Sequence, residues 1–377
     1  MSLTGTPFFA TAICLLVVAF VLPLALWSRV RGPAAVRGFV RLLMLVFAQV
    51  TAITVVFVAV NNANGLYDTW EDLLGTSDHA GTAADLGPDG TGGRKLSEQP
   101  RQVAAFRPVD DARMGEGVKV TDLKGRISGV EGEVYVWLPP QYDDPAYKGK
   151  KFPVVQLLPG YPGSAKAWFG ALQVNKQLKP LMLQGKVKPF ILVSPRTTLL
   201  GDQTDTGCAN TPGKVNADTW LSVDVRTMVT DTFRASPKAA DWAVGGYSAG
   251  AHCAAKLAIA HPDRYRAGVS LSGFNDPNGE PAALTARTPE LRRANNPYFM
   301  LKEANQAGKP PRTALFVSGA AGDGYEAASA LKGEAKAPTT VRTVKTAGPH
   351  GTSVWKQQVP EVFRWLSEQV GKEAVRQ

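Results

Sequence analysis

The chain opens with two long apolar stretches and then changes character. Pro7–Trp27 carries no charged residue, and neither does Leu42–Val60. Neither run alternates with polar positions as a soluble amphipathic helix does. Crossing bilayer hydrocarbon takes about 20 apolar residues, so the runs predict membrane-spanning helices over 7–27 and 42–60. A secretory signal peptide fits the first run poorly: Met1–Phe9 has no Lys or Arg, the run is long, and no small-x-small cleavage site follows. Arg29, Arg31, Arg37 and Arg41 lie between the two runs. Short cationic loops stay in the cytoplasm. Residues 1–60 are therefore expected to form a membrane hairpin, in the cell membrane, with all that follows Val60 outside the cytoplasm.

Past Val60 the pattern loosens. Asn61–Gly75 mixes aromatics with acids, and Tyr67 and Trp70 suit a membrane interface. From Thr76 to Gly115 the chain is rich in Gly, Ala, Asp, Ser and Pro with little apolar periodicity, so 61–115 reads as a juxtamembrane segment and a flexible tether. Short β-branched runs then recur at 132–140, 152–160, 189–195, 241–246, 267–273, 313–319 and 340–346. Helix-like stretches, such as Ala249–Ala260 and Pro360–Val370, lie between or after them. This alternation predicts an α/β domain over 116–377, with a mostly parallel sheet covered by helices on both faces.

Composition narrows the picture. Hydrophobic residues at 44% and charged residues at 20% exclude a wholly disordered chain. Lys and Arg number 42 against 32 Asp and Glu, a net charge of +10. The hairpin arginines supply part of that excess. The rest is scattered, without a basic stripe interleaved with aromatics, so no nucleic-acid partner is expected. No Cys/His cluster has metal-site spacing, so neither a metal nor another cofactor is expected.

The run at 241–246 leads into Gly246-Tyr247-Ser248-Ala249-Gly250 and then into a helix. G-x-S-x-G between a strand and a helix is the pattern of a nucleophile elbow. The turn is tight enough to require glycine at its flanks, and it presents Ser248 at a helix N-terminus, where negative charge is favoured. A serine needs a base. The chain has four histidines: His79, His252, His261 and His350. His79 lies in the tether, His252 is one turn beyond Ser248 on its own helix, and His261 closes that helix. His350 follows the last predicted strand in a Gly-rich loop, which is where such a fold carries its base. The orienting acid belongs between serine and histidine, after an intervening strand. Asp323 stands there in AAGDGYE, with Glu326 as the alternative. The oxyanion hole needs two backbone N–H donors. Ala249 is one candidate, and Tyr161, in PGYPG after an early strand, is the other.

Taken together, LLPGYPG, DTGC, DTWLSVDV, GGYSAGAHCAAKLAIAHP, SLSGF and PHGTSVW resemble the putative-esterase family of α/β-hydrolases, over Val118–Val370. Esterase D, enterochelin esterases, feruloyl esterases and the antigen 85 mycolyltransferases belong to that family. The two-helix start followed by LYDTWEDLLG resembles membrane-anchored actinobacterial members. The resemblance implies an α/β-hydrolase fold, a Ser248–Asp323–His350 triad and an acyl-enzyme on an ester substrate. Two features depart from the antigen 85 pattern. Pro159 replaces an acid before Gly160, and His350-Gly-Thr-Ser353-Val-Trp355 replaces His-Ser-Trp. Both point away from mycolyl transfer to trehalose.

Outside the cytoplasm thiols tend to pair, which predicts a Cys208–Cys253 disulfide. Trp168 and Trp355 flank the predicted site loops and are expected to line a substrate pocket. The leading expectation is an anchored extracytoplasmic serine esterase acting on lipid or cell-envelope esters. An acyltransferase of the antigen 85 type and a catalytically silent envelope-binding module are the alternatives.

Overall fold

The computed structural model describes residues 3–371. It forms two compact units, one ending at Leu74 and the other beginning at Gly75.

The first unit is built on α1 (Thr6–Leu26) and α2 (Ala34–Asn64), with the short α3 (Trp70–Leu74) after them. Both long helices are apolar and long enough to cross a membrane. Much of their surface is open: Leu24 is 86% exposed and Ile53 68%. The second helix starts well before the apolar run at 42–60. Arg37 and Arg41, expected in the connecting loop, lie in its first turns because arginine is a good helix former. Arg41 is held there by two hydrogen bonds to the Trp27 carbonyl, at 3.2 and 2.9 Å. Gly65 closes α2 in the left-handed conformation.

The second unit carries, in chain order, β1 (Arg107–Pro108), β2 (Val118–Lys124), β3 (Glu131–Trp137), β4 (Val154–Leu158), α4 (Ala167–Gly170), α5 (Val174–Leu183) and β5 (Ile191–Pro195). There follow β6 (Asn210–Thr211), β7 (Val215–Asn216), α6 (Ala217–Thr219), α7 (Val225–Thr232), β8 (Trp242–Tyr247), α8 (Ala249–Ala260) and β9 (Ala267–Leu271). It ends with α9 (Pro289–Ala294), α10 (Pro297–Gln306), β10 (Ala314–Gly319), α11 (Tyr325–Glu334), β11 (Thr340–Lys345) and α12 (Thr352–Gln369). The main sheet runs in the order β1-β2-β3-β5-β4-β8-β9-β10-β11. Pairing is parallel from β5 through β11 and antiparallel on the β1–β3 side.

Period-2 alternation sends neighbouring side chains of one strand to opposite faces. Val154, Val244 and Val317 enter a core shared with Met228, Leu257 and Leu331. Val155, Phe316 and Tyr247 enter another, shared with Leu178, Val359 and Phe363. The sheet is thus sealed on both sides, and its strands read as continuous apolar runs for that reason.

Two features differ from the sequence reading. The last helix starts at Thr352, not Pro360, and holds that proline internally. Val354 and Trp355 are buried, so packing of the first turns outweighs the proline signal. The 76–115 segment, read as a tether, lies along the α/β unit. His79 bonds Leu199 and Glu131 through its backbone, both at 2.9 Å. Ala83 accepts from Gly213 at 2.9 Å, and Gly90 accepts from the Thr219 hydroxyl at 2.7 Å. Gln102 N–H reaches the Asp231 carboxylate at 2.6 Å. Backbone groups hold this segment, so it leaves no hydrophobic periodicity to read.

Candidate active site

The C-terminal end of β8 turns abruptly into α8. Two glycines permit the turn. A Cβ at Gly246 would collide with the Gly250 backbone, and one at Gly250 with the carbonyl oxygens of Leu158 and Pro159. Ser248 sits between them with φ 56° and ψ −127°, a sparsely populated conformation for a residue with a side chain. It is fixed by its N–H bond to the Leu271 carbonyl, 2.9 Å, and by its own carbonyl, which accepts from Ala251 and His252. Its side chain is thereby presented at the N-terminus of α8. Ala249 is the first residue of that helix, where a backbone N–H has no intrahelical acceptor.

His350 arrives from the β11–α12 loop and Asp323 from the β10–α11 loop. The Ser248 hydroxyl donates to His350 Nε2 at 2.9 Å. On the other side of the ring, His350 Nδ1 donates to Asp323 Oδ1 at 2.6 Å. The carboxylate of Glu326, the alternative acid, accepts the Gly322 N–H at 3.2 Å and braces the loop. That loop is packed tightly. A Cβ at Gly324 would stand 2.8 Å from the Gly273 carbonyl oxygen.

The other histidines are engaged elsewhere. His79 Nδ1 bonds the Glu131 carbonyl at 2.9 Å. His261 Nε2 meets Asp218 at 2.8 Å. His252 is buried, with Nδ1 on the Phe274 carbonyl at 2.9 Å and its ring stacked on Phe274. Burial, aided by nearby Lys256, pushes its pKa down to about 4, so it is neutral at ordinary pH.

The loop after β4 closes over the elbow. A Cβ at Gly160 would lie 3.1 Å from Ser248 Cβ, so Tyr161 follows a residue in contact with the serine. Thr198 ties the loop's far end through Gly163 O at 3.2 Å. Trp168 and Trp355 do not line an open pocket. They are 2% and 6% exposed and belong to the core. Both sit against Tyr247: Trp355 stacks on it at 4.4 Å between ring centroids, and Trp168 lies at 5.4 Å. They support the site from beneath because their rings complete the core under the elbow. The sequence reading passed over Tyr247 itself, although an aromatic immediately before the serine of G-x-S-x-G was a visible signal.

A disulfide joins Cys208 to Cys253, linking the DTGC loop to the helix that carries the elbow. Among the described residues, no group of three or more His, Cys, Asp or Glu is placed to hold a metal.

Three neighbours are informative. An uncharacterized protein of Corynebacterium glutamicum is 27% identical over 288 residues, covering 70% of this chain and 64% of its own length. This chain therefore spans less than two thirds of that relative. A ferulic acid esterase superposes with TM-score 0.57 at 18% identity, over 67% of this chain and 98% of its own. A fluorophosphonate-binding serine hydrolase of Staphylococcus aureus, FphF, gives 0.54 at 16% identity, over 66% and 98%. At these identities the structural likeness speaks for the fold. The family described as "Putative esterase" matches residues 127–367, most of the α/β unit and every residue of the Ser248 site described above. The chain belongs to that esterase family.

Proposed function

We propose that this protein is a membrane-anchored serine esterase whose α/β unit works outside the cytoplasm. The observation that carries the reading is the continuous chain from the Ser248 hydroxyl through His350 to Asp323, with the serine on a strained strand-to-helix turn. In the proposed cycle, Ser248 Oγ attacks the ester carbonyl while its proton passes to His350 Nε2. Asp323 holds Nδ1–H and stabilises the imidazolium. The carbonyl oxygen becomes an alkoxide facing the amides of Ala249 and Tyr161, each such donor being worth roughly 2.7–4 kcal/mol. The alkoxide collapses, the alcohol leaves with the proton from His350, and an acyl-serine remains. Water attacks next, giving its proton to His350, and the acid is released from a regenerated serine.

Two facts support the anchor. The two long helices expose apolar surface that water would not tolerate, and the arginines gather where one helix gives way to the other, Arg29 and Arg31 in the connection and Arg37 and Arg41 near the start of α2. A substrate at the membrane or envelope is consistent with that placement.

The test is labelling of the full chain in detergent with a fluorophosphonate probe, followed by mapping of the modified residue. Modification at Ser248, lost in His350→Ala, is expected. A folded protein left unlabelled, or Ser248→Ala that still cleaves short p-nitrophenyl esters, would overturn the reading. Extraction with alkaline carbonate and a reporter fused after Val60 check the anchor and its orientation.

A further inference from the structure

We propose that His252 is a positioning residue: through the Phe274 carbonyl it fixes the segment 271–275, which sets the turn of Ser248 against the loop of Asp323. The inference rests on the serine-hydrolase reading above. His252 lies one turn beyond Ser248 on α8, and its backbone N–H bonds the Ser248 carbonyl at 3.2 Å. Its side chain serves the loop that follows β9. Nδ1 stands 2.9 Å from the Phe274 carbonyl oxygen. A carbonyl only accepts, so Nδ1 carries the ring proton and Nε2 a lone pair. His252 is 2% exposed, and its imidazole lies flat on the Phe274 ring, with 4.7 Å between centroids and 16° between planes. The Gly279 backbone presses on the same phenyl, since a Cβ there would stand 2.4 Å from Phe274 Cγ. Phe274 is thus gripped by both its carbonyl and its ring.

The grip acts on the strip between two loops of the proposed triad. Leu271 accepts the Ser248 N–H at 2.9 Å, and Ser272 donates its own N–H to the Ser318 carbonyl of β10 at 2.8 Å. Ser272 and Gly273 lie against the Asp323 loop: a Cβ at Gly324 would stand 2.8 Å from Gly273 O and 3.0 Å from Ser272 Cα. Asn275 Nδ2 reaches the Ala327 carbonyl of α11 at 2.9 Å. Five consecutive residues therefore touch the serine turn on one side and the acid's loop and helix on the other. His350 must meet Ser248 and Asp323 at once, so its reach depends on how this strip spaces them. A misplacement of about 1 Å can cost about a hundredfold in rate. The strip also needs holding, because Ser272 sits at φ 53°, a conformation that persists only where neighbours over-determine it. Among the described residues His252 Nε2 has no hydrogen-bond partner, so the ring's one polar contact goes to Phe274.

The test separates the bond from the bulk. Asparagine carries its side-chain N–H the same number of bonds from the backbone as Nδ1, so His252→Asn keeps a donor for Phe274. His252→Leu fills the space without one. Measurements use the full chain in detergent, at a temperature where circular dichroism shows each variant folded. Rates are counted per Ser248 titrated with a fluorophosphonate. His252→Leu is expected to lower kcat for a short p-nitrophenyl ester about tenfold to a hundredfold. KM should change by less than about twofold, as for an alignment needed only in the transition state. His252→Asn should recover most of the loss.

A folded His252→Leu protein with wild-type kcat, or with a raised KM alone, overturns the proposal, whatever its unfolding midpoint. Equal losses in the two variants overturn it too, since packing alone would then be at work. Should His252→Leu not fold, selective nitrogen-15 labelling of the four histidines in the wild type decides. His252 as the Nδ1–H tautomer with a slowly exchanging proton supports the clamp. The Nε2–H tautomer overturns it, because Nδ1 would have nothing to donate. Labelling of Ser248 in the wild type distinguishes the two levels. Its absence removes the serine-hydrolase reading and this proposal with it, whereas labelled Ser248 beside an unaffected His252→Leu removes only the positioning role.

Discussion

His350 meets Trp355 edge to face, with ring centroids 4.9 Å apart and planes at 86°. The indole is itself stacked on Tyr247. The base of the proposed triad therefore leans on a side chain from the first turn of α12, five residues further along the chain. Trp355→Ala should cost about 3–5 kcal/mol of stability, as expected for a core tryptophan. It should also lower kcat more than it raises KM, because the imidazole loses one wall. Denaturant unfolding and steady-state kinetics check both. Lost stability with an unchanged kcat would reduce Trp355 to a space filler.

Two acids three residues apart have different partners: Asp323 meets the His350 ring, and Glu326 the Gly322 N–H. Asp323→Asn should lower kcat by about 10⁴-fold, the size seen when the orienting carboxylate of a triad is neutralised. Glu326→Gln should stay close to wild type, since its carboxylate bonds only the Gly322 N–H among the described contacts. Ester hydrolysis by the two variants, measured side by side, decides. Equal losses would mean that the loop brace matters as much as the acid.

Gly250 and Gly333 offer a contrast between two helical glycines. Gly250→Ala drives a Cβ into two backbone carbonyls and should lose more than about 4 kcal/mol or fail to fold. Gly333, in α11, has open space around it. Gly333→Ala should gain about 0.5–1 kcal/mol from helix propensity. Thermal unfolding midpoints of the two variants should move in opposite directions.

The Cys208–Cys253 bridge closes a sequence separation of 45 residues. On chain entropy that is worth about 4 kcal/mol. The double variant Cys208→Ala/Cys253→Ala should unfold at a clearly lower temperature. An unchanged midpoint would show that the two segments are held together without the bridge.

Stability on the acid side carries the mark of His252. An unfolded imidazole protonates near 6.5, whereas the native ring resists protonation until about 4. Between those values the unfolded state binds the extra proton. The stability contributed above pH 6.5 is therefore lost as pH falls towards 4, to a total of about 3 kcal/mol. Asp205 acts in the opposite sense: burial raises its pKa to about 6, so its contribution is lost as pH rises from about 4 to about 6. His252→Asn should flatten the acid-side loss and leave the Asp205 component. Unfolding of the α/β unit, followed by near-ultraviolet circular dichroism from pH 4 to 7, measures it.

Much of the sheet was legible because a strand buried on both faces needs a short apolar run and has few other ways to satisfy it. FPVVQLLPG and TALFVSG contain β4 and β10 for that reason. Ser248 and His350 could be named as candidates through order and context, G-x-S-x-G after a strand and a histidine after the last one. What composition concealed was of two kinds. Trp355 and Trp168 follow loop residues in the sequence, yet their size makes them core fillers, which only the packing reveals. Pro360 resembles a helix start, yet Val354 and Trp355 bury themselves one to two turns earlier. Spacing does not separate Asp323 from Glu326 as candidates; the course of the loop's backbone puts the Asp323 carboxylate beside His350 Nδ1.

The segment from Thr76 to Gly115 adds length without adding reach. A free coil of 40 residues would wander over about 35 Å. This one is fastened at His79, Ala83, Gly90 and Gln102. Its removal would strip acceptors and donors from Leu199, Gly213, Thr219 and Asp231, and would take away β1 at the edge of the sheet. A shortened chain meant to fold and turn over substrate must therefore begin near Gly75, and one that begins near Gly115 starts with its sheet already frayed.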